Sequence, residues 1–398
     1  MSLDDRSTLL ERSREAFQVT TIPDISITED QVIALVIAHN EVTRLPYFLE
    51  HHRRIGIGQF IVIDNDSTDG TGAYLDAQAD VTRIHTKASY KENKSIWRQL
   101  ICDLFLQECW VLFPDVDELF WYPGLSKTSI NRFTEYLDQS GYQGVFTTMV
   151  DMYAAGPVQD IRYEPSTPFL ESCPYFDNSG YRYVPLKGAD GRGYNVPFRH
   201  LYGGTRERLF HHTSKRKSNL LDKFLLGTVF SIRSNEPKTS LGRFLDRKLF
   251  KMVKKSLPGV DPLMSKVTLL KWEKGASFSG GVHNVASDLS LAPDWCALLH
   301  FKYLNDFKDK VDEALDRGQH AVSSRFYKDY VPHLDRVMSK GAYFEGSVVF
   351  KDENSLLEYG LMRKSGALED FLAQFDSGST TAAEKSPKNG QDASLSNS

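Results

Sequence analysis

Cysteine is scarce: the 398 residues hold four, Cys102, Cys109, Cys173 and Cys296, with no CxxC pair and no even ladder of spacings. Neither a disulfide framework nor a zinc knuckle is expected, which fits a reducing compartment. Long apolar runs are also missing; nothing approaches the roughly 18 residues that a bilayer span needs. The opening segment MSLDDRSTLLERSREAF lacks the cationic-then-apolar order of an export signal. The expected location is therefore cytoplasmic, with attachment to the cytoplasmic face of a membrane left open. No single sign of charge dominates either. Lys and Arg number 48 against 52 Asp and Glu, a net charge of −4, and bulk charge points to no nucleic acid or other polyanion as partner. No internal repeat is visible.

What is present is an ordinary globular composition, 41% hydrophobic and 25% charged, with ample length for a buried core. Charge is unevenly spread. Between Arg206 and Lys274 seventeen basic residues face six acidic ones, so about +11 sits there and about −15 elsewhere. A local anionic contact and a solvated basic surface account for this equally well.

Short continuous apolar runs mark strands buried on both faces: Val32–Ala38 (VIALVIA), Phe60–Ile63 and Trp110–Phe113, with Val81–His85 between them. Helical spacing over 44–55, 71–79 and 95–107 alternates with them, which predicts parallel βαβ units in a doubly wound α/β sheet. A further helix is expected over 131–139 and a strand over 144–150. Residues 155–210, rich in Gly, Pro, Tyr and Arg, read as irregular active-site structure. Residues 306–316 read as helix, and from about Asp376 the composition predicts disorder.

In such sheets ligands bind beyond the carboxyl ends of the strands, and three of these ends carry polar clusters: His39-Asn40-Glu41, Asp64-Asn65-Asp66-Ser67 and Asp115-Val116-Asp117-Glu118. Carboxylates converging there repel one another unless a cation or hydrogen-bond donors compensate. Asp115 and Asp117, one residue apart between the apolar runs WVLF and LFW, could share Mn²⁺ or Mg²⁺ and a diphosphate. Any one cluster alone could be turn chemistry.

The string VIAHNEVTRLPYFLEHHRRIGIGQFIVIDNDSTDGT, followed by FPDVDELF, resembles the nucleotide-binding half of glycosyltransferase family 2 enzymes with the GT-A fold. The branch it resembles has HNE as its first motif. VDMYAAGP (150–157), GGTRERLF (203–210), SKVTLLKW (265–272) and LLHFKYL (298–304) extend the resemblance. It implies a GT-A-like mixed sheet with a nucleotide-binding half and an acceptor-side region. Asn40 and Glu41 would line the nucleotide pocket, and Asp64 would contact base or ribose. Asp66, where the family often has Gly, is a weaker candidate. Asp115 would lie near ribose and metal, and Asp117 would bind the metal directly. His300 would complete metal or diphosphate binding, with His283 its rival and a hydrogen-bonded core histidine the plainer alternative.

Arg206 and Arg208, beside a glycine pair, are candidates for the diphosphate or an anionic acceptor; surface ion pairs would explain them equally. Arg98, beside Trp97 on the helix before the DVDE motif, could sit near the donor, although helix packing explains Trp97. An inverting transfer needs a general base; Asp151 is the nominee, with Glu207 and Asp190 as alternatives. Residues 241–255 (LGRFLDRKLFKMVKK) form a basic amphipathic helix, either interfacial on anionic lipid or a packed helix with a basic outer face.

The sequence thus divides into an extension (1–29), a nucleotide-sugar half (30–150), an acceptor-side half with the basic insertion (151–305), a helical region (306–375) and a tail (376–398). The expected activity is metal-dependent hexosyl transfer, as in polysaccharide biosynthesis. The donor would be a nucleotide-sugar, UDP-linked in the favoured reading, and the acceptor a glycan or lipid-linked molecule. A nucleotidyltransferase is disfavoured because no Gly-rich loop with a following Arg and Lys lies near the first strand. A non-catalytic nucleotide- or glycan-binding protein is disfavoured by the intact Asp115 and Asp117. If the tail is dispensable, deleting residues 377–398 leaves turnover and melting temperature unchanged; loss of either would assign those residues a structural role.

Overall fold

The computed structural model describes residues 3–28, 31–184, 200–211, 217–234, 240–257, 263–278, 281–283, 285, 289–318 and 327–376. Its strands are β1 (Ile33–Ala38), β2 (Gln59–Asp64), β3 (Val81–His85), β4 (Trp110–Leu112), β5 (Glu118–Trp121), β6 (Gly144–Asp151), β7 (Tyr175–Asp177), β8 (Arg182–Val184), β9 (His200–Tyr202), β10 (Ser265–Lys266), β11 (Leu269–Lys271), β12 (Leu291–His300) and β13 (Ser347–Val349). The main sheet runs β3-β2-β1-β4-β11-β6-β12-β5, with β10 also paired to β6. β1, β2, β3 and β4 pair in parallel, as does β12 with β6, while β5, β10 and β11 pair antiparallel to their neighbours. The fold is therefore mixed α/β.

Successive strand residues point to opposite faces, and both faces are covered. Val32, Ala34, Val36 and Ala38 join Phe60 and Val62 in one core, while Ile33, Leu35, Ile61 and Ile63 join a second. The apolar runs Ile33–Val36 of β1 and Phe60–Ile63 of β2 follow directly, since both of their faces are buried. Helix Leu3–Phe17 packs on helix Tyr90–Phe105 in the second core. There Trp97 stacks on Phe17 and its Nε1–H donates to Ala16 O at 2.8 Å.

At the sheet's far side a short strand, β5, pairs with the long strand β12. β5 and β12 come from chain segments far apart in sequence, yet their pairing sets Glu118 opposite His300. On the other side of β12, His300 lies opposite Asp151 of β6. Three ionisable residues are thus aligned across three neighbouring strands at the edge where β12 and β6 end.

The HHRRIGI segment lies on helix Leu45–Ile55, which closes at Gly56 with φ +108°, a left-handed cap suited to glycine. Its two histidines face inward. His51 Nε2–H donates to Phe120 O at 3.0 Å and His52 Nδ1–H to Phe48 O at 2.8 Å. The four cysteines are unbridged, and among the described residues no helix is long and apolar enough to cross a membrane. The Asp190 position and the tail residues 377–398 lie outside the described residues.

Burial pushes His52 down to about 4, against the bond to Phe48. A histidine with a depressed folded value resists protonation that the unfolded chain accepts. Its contribution is fully present above about pH 6.5 and declines to roughly pH 4, a loss of about 3 kcal/mol. Urea titrations across that range should show stability falling with pH in the wild type and a flatter profile in His52→Gln. An unchanged slope would mean His52 titrates normally.

Candidate functional site

A cleft of about 310 Å³ opens beyond the carboxyl ends of β1, β2 and β4. Its wall takes Ile37, Ala38, His39 and Glu41 from the end of β1, Asn65 from β2, and Asp115, Asp117 and Glu118 from the β4–β5 turn. Met149, Arg206, Lys266, His283 and His300 supply the floor and far side. Helix Phe307–Arg317 covers one flank with Lys310, Glu313 and Arg317, and Lys302 and Tyr327 complete it.

The DVD segment is held by two separate charge systems. Lys266, buried on β10, donates to Glu118 Oε1 at 2.6 Å and to Asp115 Oδ2 at 2.7 Å, and Arg98 Nη2 stands 3.7 Å from Asp115 Oδ1. Burial pushes the Asp115 carboxyl up, but Lys266 and Arg98 outweigh it and hold it below its ordinary value. Burial prevails at Glu118, which is raised despite Lys266.

Asp117 belongs to the second system. Its Oδ2 lies 3.1 Å from His300 Nε2, and His300 Nδ1–H donates to Asp151 Oδ1 at 2.7 Å. Arg206 closes the chain, its Nε and Nη2 donating to Asp151 at 2.8–3.1 Å. Burial opposes ionisation of Asp117, yet His300, Lys302 and Arg44 hold the carboxyl well below its usual range. Burial likewise lowers His300, but the Asp117 charge with bonds to both carboxylates raises it above its ordinary value.

The β1 end forms a third group. Asn40, with φ +53°, accepts from Thr68 N at 2.8 Å through Oδ1 and donates to Glu313 at 3.1 Å. Glu41 accepts from Lys310 at 2.8 Å and Arg44 at 3.3 Å, while Arg44 forks onto Asp306 with both bonds at 2.7 Å. Those bonds tie helix Phe307–Arg317 to the HNE turn. Lys302 has a different position: its nearest polar partner is the Tyr327 hydroxyl at 3.4 Å, and among the described residues it makes no ion pair.

Of the residues picked from sequence, Glu41, Asp115, Asp117, Arg206 and His300 line the one cleft. Arg98 sits behind Asp115 and Asn40 behind Glu41, each in contact with the lining through the bonds given above. Asp64 is 1% exposed, accepting from Ser67 N at 3.1 Å and pairing with Arg83 at 3.2 Å. Its place in the wall is taken by Asn65. Asp66 turns outward toward His85 and Lys87, and its φ of +58° is a conformation glycine adopts freely. Arg208 also turns from the cleft, forking onto Asp177 at 2.8 and 2.9 Å and lying over Phe344.

The nominated bases have partners that a base lacks. Asp151 is 0% exposed and, although burial alone would raise it, Arg206 and His300 hold it down at about 2. A carboxylate so stabilised is a poor proton acceptor; its geometry suits orienting His300. Glu207 is bound by Arg182 at 2.6 Å. His283 is half-buried, bonded to Ser265 O at 2.8 Å and pushed down to about 4 by desolvation. Its Nδ1 is tied to the backbone and its ring lines the cleft, whereas His300 is held between two carboxylates, Asp151 at Nδ1 and Asp117 at Nε2.

Whether a divalent ion fits can be tested on the donor set. An imidazole with Nδ1–H fixed by a buried carboxylate presents Nε2 outward, the arrangement found behind metal-ligating histidines, and Asp117 adds an oxygen donor. Among the described residues no group of three or more His, Cys, Asp or Glu is arranged to hold a metal. Asp117 and His300 therefore supply at most two side-chain donors, and any divalent ion there would take the rest of its shell from ligand and water oxygens.

No protein-family model matches the chain, and no curated protein matches it. Among solved structures the chain is similar to one described as "Crystal structure of 4-diphosphocytidyl-2C-methyl-D-erythritol synthase". The identity is 14% and the TM-score 0.23, covering 36% of this chain and 67% of that one. So slight a likeness bears on neither chemistry nor substrate.

Several lining residues lay outside the sequence reading: Arg44, Lys266, Lys302, Lys310, Glu313 and Arg317. Lys266 had a signal, a lysine amid the apolar residues of SKVTLL. Because it neutralises two carboxylates, one of them fully buried, Lys266→Met should destabilise the fold by about 3–5 kcal/mol. Lys266→Met/Glu118→Gln should recover much of that in denaturant titrations. A loss below about 1 kcal/mol in the single variant would mean the carboxylates are compensated elsewhere.

Proposed function

We propose that the chain is a metal-dependent glycosyltransferase of the GT-A type, transferring a sugar from a nucleotide donor, UDP-linked in the favoured case. The observation that carries this reading is the Asp117–His300 pair at 3.1 Å, backed by Asp151, in a cleft that also holds Lys302, which among the described residues makes no ion pair. A nucleoside diphosphate-sugar brings the negative charge and the oxygen donors that such a set lacks. The motifs resembling glycosyltransferase family 2 fall on this same wall.

In this reading the nucleoside lies along Ile37, Ala38, His39 and Asn65, and Arg317, which donates to Asn65 Oδ1 at 3.1 Å, borders it. Asp117 and His300 Nε2 would hold Mn²⁺ or Mg²⁺, which when bound offsets diphosphate charge. During transfer the anomeric carbon bonds to an acceptor hydroxyl oxygen, its bond to the diphosphate breaks, and the hydroxyl proton passes to water or to the departing diphosphate. Charge grows on the leaving diphosphate, and Lys302 and Arg317 face it. Asp151 and Arg206 act as positioning residues for His300. Glu41, tied to Lys310 and Arg44, positions the helix that flanks the donor. The acceptor is a glycan or lipid-linked molecule approaching from the side of residues 151–305.

The reading is tested with a thermal-shift panel of nucleoside diphosphates, with and without Mn²⁺, followed by assays for nucleoside diphosphate and pyrophosphate release. One nucleotide should stabilise the protein only with metal, and nucleoside diphosphate should be released from its sugar conjugate. Asp117→Ala should lower turnover by roughly 10²–10³-fold, and because the Asp117 carboxylate also pairs with His300 at 3.1 Å, turnover is compared at a temperature where both proteins are folded. Pyrophosphate release instead would indicate nucleotidyl transfer, and no shift with any nucleotide would remove the proposal.

A further inference from the structure

Outside the cleft, residues 217–257 build a feature that catalysis does not use. Helices Leu220–Gly227 and Ser240–Val253 pack on each other through a small cluster of their own, Leu225, Phe230 and Val253 with Leu249 and Phe250 beside them. Having satisfied that contact, each helix still leaves large apolar side chains in water. Leu220 is 85% exposed and Phe224 61%; Leu241 is 67% exposed and Phe244 47%. Leu221 and Leu245 are half exposed as well. Leu241, Phe244, Leu245 and Lys248 follow i, i+3, i+4, i+7 spacing, so they form one stripe of the second helix.

Among the described residues of the segment, the exposed charges beside these side chains are basic. Lys217, Lys223, Lys248, Lys251, Lys254 and Lys255 are exposed, and Lys248 Nζ lies 5.4 Å over the Phe244 ring. The two described acidic residues of the segment are turned inward: Asp222 is 2% exposed and bonded to Asn219 and Ser256, and Asp246 is 4% exposed. Exposed leucine and phenylalanine beside lysine, with the acids withdrawn, complement a surface that is apolar at depth and anionic at its face. A bilayer containing anionic lipid has that profile.

We propose that this helical pair docks on the anionic surface of a membrane, the apolar stripe entering the headgroup boundary and the lysines meeting lipid phosphates and carboxylates. The inference is independent of the proposed transferase activity, because none of these side chains lines the cleft.

Co-sedimentation of the full chain with phosphatidylcholine vesicles and with vesicles also containing phosphatidylserine tests it. Binding should require the anionic lipid and weaken with added salt. Lys248→Glu/Lys251→Glu should lower the partition coefficient by at least about tenfold, at roughly fivefold per cation removed. Phe244→Ser/Leu245→Ser should lower it by at least about tenfold, with both variants keeping the wild-type melting temperature since the replaced side chains are exposed. Absence of binding, or equal binding to both vesicle types, would overturn the proposal. So would a concentration-dependent dimer abolished by Phe244→Ser/Leu245→Ser in a chain that ignores vesicles; the occupant would then be a second copy.

Discussion

The row Asp117–His300–Asp151–Arg206 is the arrangement on which the cleft depends. Each member is costly to bury alone, since removing a charge from water costs several kcal/mol unless close partners repay it. The strand register makes the repayment possible by setting His300 beside Asp151 on one neighbour and beside Glu118 on the other. Arg206 then reaches the row from helix Gly204–Phe210, so a segment of the second half of the chain is anchored to the sheet by a fork of charge-assisted bonds. The row ends at Asp117, whose carboxylate is 28% exposed and faces the cleft. A ligand there meets a group whose orientation is set by partners three residues deep.

That construction explains why the first half of the fold was readable in sequence and the second was not. β1, β2 and β4 are buried on both faces and pair in parallel, so their apolar runs carry their own signature. β12 carries the same kind of run, WCALLHF, but its meaning depends on partners about 150 residues or more away in the chain, and local pattern says nothing about register. The HNE, DND and DVDE clusters were visible because polar residues stop apolar strands abruptly. Which acid faces a ligand and which is a strut was not visible. Asp64 and Asn65 are adjacent, and one residue of strand register decides that Asp64 pairs with Arg83 while Asn65 lines the wall.

The cations were harder still. Lys302 is two residues beyond His300 and Arg317 closes a surface helix; both look like ordinary surface charges in sequence. Only tertiary packing brings both to the lining of one cleft. The reverse holds for Arg208 and Arg206: one residue apart, they differ by their directions from a short helix, so that one serves Asp177 and the other Asp151.

The basic excess between Arg206 and Lys274 therefore has no single cause. Arg206, Arg208, Lys266 and Lys271 are each paired with a carboxylate of the sheet or its flanking elements, namely Asp151, Asp177, Asp115 and Asp138. These pairs are fixed by geometry and cancel charge locally, so they cannot generate a field outside the protein. The exposed lysines of the helical pair are different, because the acidic residues described beside them are turned inward. A net charge computed over the segment merges these two populations. Among the described residues burial separates them: the paired cations belong to the sheet and the cleft, and the exposed lysines to the helical pair.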